Sequence, residues 1–131
     1  MAIMASGRPL VSVITATYNM GRYLGAAIDS VLAQSCPEVE SIVVDDGSTD
    51  GTAAVLARYT GDPRVRILRQ ENQGQTRAKN RGLREARGSF IGFCDADDRW
   101  RPDKLERQIP YFSGRPRLGV VYGDFAQIDA A

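Results

Sequence analysis

The stretch Leu10-Val11-Ser12-Val13-Ile14-Thr15-Ala16, followed at once by Thr17-Tyr18-Asn19, decides the fold. Seven residues without a charge, rich in β-branched side chains, read as a strand buried on both faces. Such a strand needs neighbours and covering helices, and the chain supplies both in alternation. Leu24, Ala27, Ile28, Val31 and Leu32 recur at helical spacing and predict a helix over about 20 to 34, with Asn19 as its cap and Pro37 as its stop. Val39 to Val44 is a second strand. Ser48, Thr49 or Asp50 can cap a second helix carrying Ala53, Ala54, Leu56, Ala57 and Tyr59, which ends before Gly61-Asp62-Pro63. Val65 to Leu68 is a short third strand, and Gln75 to Ala86 a helix with Gly88 as its C′ residue. Ser89 to Cys94 is a fourth strand. Pro102 opens another helix, with Leu105 and Ile109 facing inward, and Pro110 ends or kinks it early because it has no N–H to give. Leu118 to Tyr122 reads as a fifth strand.

Strands alternating with helices predict an α/β fold: a mostly parallel central sheet with helices on both faces. Parallel strands put their C-terminal ends on one edge of the sheet, where open α/β sheets bind ligands. Tyr18, the Asp45-Asp46 pair and the Asp95-Ala96-Asp97-Asp98 cluster each follow a strand end, so three polar loops should converge on one crevice. The 131 residues suit one domain. Residues 1–8 read as a flexible N-terminal segment or tail, and 9–131 as the folded part.

Composition narrows the chemistry. Lys plus Arg is 17 and Asp plus Glu is 16, a net charge of +1, which gives no global case for nucleic acid. No histidine is present, which removes histidine general bases, Ser-His-Asp triads and His-ligated zinc. Two cysteines, Cys36 and Cys94, make no disulfide framework and fit a reducing compartment. The first ten residues lack a signal peptide's apolar run, and no stretch approaches 18 apolar residues. The expected location is cytoplasmic.

The loops exclude further classes. A dinucleotide-binding turn needs Gly-x-Gly-x-x-Gly, but the first strand-to-helix turn has one glycine, Gly21, and no P-loop run occurs. The acidic cluster places three carboxylates within four positions, a repulsive arrangement that a divalent cation relieves. It is no EF-hand: with Asp95 as the first loop position, Arg99 stands fifth and Trp100 takes the place of the required glycine. From Arg64 to Arg87 eight basic residues face Glu71 and Glu85 alone; Arg77 and Arg81 share a helix face, whereas Lys79 points elsewhere.

Four ordered blocks now carry a resemblance. Val11-Ser12-Val13-Ile14 with Thr17-Tyr18-Asn19, Val43-Val44-Asp45-Asp46-Gly47-Ser48-Thr49-Asp50, Gly74 with Ala78-Lys79-Asn80-Arg81-Gly82, and Gly88-Ser89-Phe90-Ile91-Gly92-Phe93-Cys94-Asp95-Ala96-Asp97-Asp98 resemble the family 2 glycosyltransferases. Pro102-Asp103-Lys104-Leu105 matches the run that follows the acidic loop. The resemblance implies the Rossmann-like half of a GT-A fold, a nucleotide-sugar donor, expected to be a UDP-sugar, and inverting transfer to an acceptor saccharide, lipid or protein glycan. Cell-wall or polysaccharide synthesis is the implied setting. It further implies Tyr18 against the base, Asp46 accepting a hydrogen bond from it, and Asp45 supporting the turn. Asp95 would sit near ribose and diphosphate, and Lys79 would approach the donor. Asp97, with Asp98 beside it, would hold Mg²⁺ or Mn²⁺.

The relatives run on beyond the strand expected at Leu118 to Tyr122, into a part carrying the acceptor-side general base. Asp124 and Asp129 are the last acids here, and neither stands in a context resembling that base. The expectation is therefore a donor-binding portion, inactive alone, with its base beyond Ala131 and any membrane contact made by other parts. Two other readings compete: a metal-dependent phosphatase or phosphotransferase, which wants a hydroxyl residue where Arg99 stands, and a non-enzymatic α/β interaction module.

Overall fold

A computed structural model of the chain describes residues 7–129. Most of the N-terminal segment expected to be flexible, residues 1–6, lies outside the described residues. Strand β1 (Val11–Thr17) is followed by α1 (Gly21–Leu32), β2 (Val39–Asp45), α2 (Thr52–Ala57), β3 (Val65–Arg69), α3 (Gln75–Glu85), β4 (Phe90–Phe93), α4 (Lys104–Gln108) and a 3-10 turn over Ile109–Phe112. The strands form one parallel sheet in the order β3-β2-β1-β4. Register places Thr17 beside Asp45, Asp45 beside Arg69 and Ile14 beside Phe93. The chain winds outward from β1 to β3, then crosses back to β4 on the other side of β1. That reversal between β1 and β4 is the switch point of the sheet, where the strand-end loops part and leave a crevice.

Both faces are covered, as the apolar strands require. Val11, Val13, Val39 and Val43 pack with Leu24, Ala27, Ile28 and Val31 of α1 and with Leu56 of α2, and Leu105 of α4 closes the same layer. Ile42 and Val44 face Ala78 of α3 on the opposite side. Ile14, Leu24 and Ile28 are fully buried, each contributing roughly 1.5 to 3 kcal/mol of apolar transfer.

A buried carboxylate, Glu40, sits among these apolar side chains. Glu40, in β2 and 1% exposed, accepts from the Ser12 hydroxyl at 2.6 Å, from the Arg87 N–H at 2.9 Å and from the Arg87 guanidinium at 3.0 and 3.2 Å. Burial alone would raise its carboxyl, but these bonds outweigh it and hold Glu40 below the ordinary glutamate range. The network ties the end of α3 to the N-terminal edge of the sheet, away from the crevice.

Four expectations need correction. Leu118 to Tyr122 forms no strand: the segment is irregular, with Val120 and Tyr122 exposed, because β-propensity makes no strand without a neighbouring ladder. Asn19 does not cap α1; the Asp50 carboxylate does so from the next loop, accepting from the Gly21 N–H at 3.0 Å. Gly88 is not a left-handed C′ residue, since its φ is not positive. It is glycine because a Cβ there would lie 2.6 Å from the Ser12 nitrogen. Pro102 sits in the turn before α4, not at its first helical position, and its carbonyl accepts from the Ser35 N–H. Pro110 behaves as expected, with α4 ending at Gln108 and tightening into the 3-10 turn.

Candidate functional site

The loops after β1 and β2 are locked together. Asn19 adopts φ 52°, a left-handed conformation that asparagine tolerates, and its Oδ1 accepts from the N–H groups of Thr49 at 2.7 Å and Asp50 at 3.2 Å. Its own N–H donates to the Ser48 hydroxyl at 2.9 Å. These contacts present Tyr18, half exposed, at the rim of the crevice. Asp45 is buried and closes the turn by accepting from the Ser48 N–H at 3.0 Å.

Asp46 is 3% exposed and heavily bonded. Its Oδ1 accepts from Gln70 Nε2 and the Gln73 N–H, both at 2.8 Å; its Oδ2 accepts from the Gly74 N–H at 2.9 Å and, more distantly, from Asn72 Nδ2 at 3.4 Å. Desolvation works to raise this carboxyl, yet the donors from Gln70, Gln73 and Gly74 prevail and hold it below the ordinary aspartate range. Gly47 makes the approach of the two loops possible. It has φ +82°, and a Cβ there would lie 2.8 Å from the Asn72 nitrogen.

Tyr18, Asp46 and Asp97 meet around one cleft of about 220 Å³, which Thr17, Gln75 and Ala96 also line. Asp97 also borders a neighbouring hollow of about 320 Å³ with Arg22, Arg99 and Asp129. Lys79 and Asp95 lie to the side of the cleft as an ion pair at 3.3 Å, with the Lys79 ammonium 5.8 Å from the Phe93 ring. Asp98 donates its N–H to the Asp95 carbonyl at 3.0 Å. Its carboxyl is raised, first by burial and then by the nearby charges of Asp95 and Asp97. Neither Asp45, Asp95 nor Asp98 lines the cleft itself.

Among the described residues, no three His, Cys, Asp or Glu side chains form a group able to hold a metal. Of the acidic loop, Asp97 is the carboxylate that lines the cleft, so a hard cation there would have to take most of its ligands from phosphate and water. Cys94 offers no nucleophile: it is buried, and burial pushes its thiol up to about 12. On α3, Arg77 donates to Gln73 and Arg81 to the Arg69 carbonyl, and Arg87, just after the helix, donates to Glu40, while Lys79 pairs with Asp95 of the acidic loop.

Gln75, Gln70 and Asn72 have places in or against the site that no motif announced. The available clue was position: all three lie between the end of β3 and the start of α3, on the ligand edge of a parallel sheet.

The sequence profile of Glycosyl transferase family 2 matches residues 12–129. The chain belongs to that family. It is 44% identical over 114 residues to TuaG of Bacillus subtilis, whose name assigns it provisionally to teichuronic acid biosynthesis, covering 86% of this chain and 45% of that protein. The mannosyltransferase PcManGT of Pyrobaculum calidifontis, solved with GDP-Man and Mn²⁺, superposes with a TM-score of 0.75 at 31% identity over 82% of this chain and 33% of that one. Staphylococcus aureus TarS with UDP-GlcNAc gives 0.72 at 31% identity over 78% of this chain and 30% of that one. The chain spans less than half the length of each of these relatives. The match displaces the phosphotransferase and interaction-module readings. Among the described residues, no helix is long and apolar enough to cross a membrane.

Proposed function

We propose that the cleft binds a nucleoside diphosphate sugar, with UDP as the nucleotide, together with Mg²⁺ or Mn²⁺. It would serve inverting transfer of the sugar to an acceptor saccharide, lipid or protein glycan, in the cytoplasm. The observation that carries this reading is the meeting of Tyr18, Asp46 and Asp97 around one cleft at the sheet's switch point. The structural relatives, one solved with UDP-GlcNAc and one with GDP-Man and Mn²⁺, support the ligand class.

In this reading Tyr18 lies against the base, Asp46 accepts a hydrogen bond from it, and Asp45 supports the turn. Lys79 and Asp95 stand toward ribose and diphosphate. Asp97, helped by Asp98, holds the cation, which neutralises charge gathering on the diphosphate leaving group so that no acid need protonate it. The protein's own part is to orient the donor and keep carboxylates where the cation can reach them.

The acceptor hydroxyl must also lose a proton to a base within about 2.6 to 3.2 Å. The sequence has no histidine, Asp124 is exposed and lines neither hollow, and Asp129, also exposed, borders the neighbouring hollow but not the cleft. This chain alone is therefore expected to bind donor without transferring sugar. Acceptor-dependent UDP release abolished by Asp124→Asn or Asp129→Asn would show a complete site instead. Thermal shifts with UDP, GDP, CDP and dTDP rank the nucleotides, because a ligand bound only by the folded state raises its stability. The largest shift should come from UDP; no shift with UDP beside a clear one with another diphosphate would overturn the uridine assignment.

A further inference from the structure

We propose that the hollow beside the cleft selects a negatively charged sugar, with Arg22 and Arg99 holding the carboxylate of a hexuronate on the donor. The proposal rests on the nucleotide-sugar reading of the cleft and names the class of sugar that reading leaves open. The cleft and the hollow of about 320 Å³ share Met20 and Asp97, so they adjoin at the carboxylate assigned to the cation. A diphosphate held there carries its sugar directly, and the hollow is the adjoining space for that sugar. Its volume suits a small-molecule subsite.

The charges of the hollow come from the two strands that flank the switch point. Arg22 stands in the first turn of α1, after β1, where no acid is present, and Arg99 follows Asp98 in the loop after β4. Arg64, Arg66, Arg87 and Arg107 each lie within 4.0 Å of an acid. Arg22 and Arg99 pair with none among the described residues, and neither guanidinium gives a hydrogen bond to another group of the chain there. The Arg22 guanidinium lies instead 5.4 Å from the ring of Tyr23, which also lines the hollow. Two forks of N–H donors without an acceptor match the paired oxygens of a carboxylate. With Asp97 given to the cation, Asp129 is the acid left among the described lining residues, so two arginines face one carboxylate. A neutral hexose would leave both guanidinium groups to water, whereas a hexuronate gains charge-assisted bonds.

Calorimetric titration of UDP-glucuronate and UDP-glucose, each with Mn²⁺, into the native chain, Arg22→Gln, Arg99→Gln and the double variant tests the subsite. The two donors differ only by a carboxylate in place of a hydroxymethyl group, so their affinity ratio isolates the charge of the sugar from the diphosphate they share. Both arginines are exposed, and their replacement should leave the fold intact. The native chain should bind UDP-glucuronate about tenfold more tightly than UDP-glucose. Each single variant should cut that ratio to about threefold, and the double variant should bring the two affinities together. Equal affinities in the native chain would overturn the proposal, as would the native preference surviving in the double variant. UDP alone separates this proposal from the reading beneath it. Heat from UDP without discrimination between the two sugars defeats the subsite and leaves the nucleotide reading standing, whereas no heat from any of these ligands defeats both.

Discussion

The Lys79 ammonium lies 3.3 Å from the Asp95 carboxylate, joining α3 to the loop after β4 across the sheet's ligand edge. Their side chains are 29% and 49% exposed, so water screens the pair and it contributes at most about 1 kcal/mol to stability. The pair matters more as a placement of charge, because it holds a cation beside the acidic loop.

Lys79→Met should accordingly leave urea-unfolding stability within about 1 kcal/mol of the native value. It should weaken UDP binding by about tenfold, the loss expected of one charge-assisted contact. Calorimetry at low and high salt checks it: the native chain should lose affinity with salt more steeply than the variant. Equal affinity in the two proteins would remove Lys79 from the donor site.

Glu40 gives the clearest dependence on pH. Its folded pKa is lowered, so its contribution is present above the unfolded value of about 4.3 and is lost as pH falls through the lower folded value. Glu40→Gln should cost roughly 2 kcal/mol at pH 7, toward the lower end for a buried pair because the Arg87 side chain is 48% exposed. Below about pH 4.3 the gap between variant and native chain should narrow. Urea melts at pH 7, 5 and 3 measure it.

Gly88→Ala should destabilise by about 2 to 3 kcal/mol, since its Cβ would meet the Ser12 nitrogen at 2.6 Å and the Ser12 hydroxyl at 2.8 Å. Gly51→Ala, where nothing lies within 4 Å, should change stability little. Thermal melts of the two variants compare a close approach with an open position. Similar melting temperatures would mean that the backbone at Gly88 yields freely.

The sheet and its ligand edge were readable because they follow from local pattern. Strand runs rich in β-branched residues from Val11 and Val39, a helical period from Leu24 to Val31 and acids after strand ends all act over a few residues. What escaped the sequence depends on distant partners. Asn19 looks like a cap from its neighbours, yet its oxygen finds Thr49 and Asp50 some thirty positions on. Gly88 looks like a helix terminator, but Ser12 dictates it. Leu118 to Tyr122 has strand composition without a ladder to join. In the site, Tyr18, Asp46 and Asp97 were legible from strand ends, whereas Gln70 and Gln75 carry no distinguishing residue type. Glu40, a charge inside an apolar strand, was a signal of a buried network, but its partners Ser12 and Arg87 were not recoverable from spacing.

The most direct measurement is a calorimetric titration of UDP, with and without Mn²⁺, into the native chain and into Asp97→Ala. Asp97 is the acidic-loop carboxylate that opens on the cleft shared with Tyr18 and Asp46, and a cation held there would be shared with the diphosphate. The native chain should bind UDP more tightly with Mn²⁺ than without, and Asp97→Ala should lose that metal-dependent gain while keeping its fold. Equal heats from the two folded proteins in the presence of Mn²⁺, or no heat from either, would contradict a metal-assisted nucleotide-sugar site in this cleft.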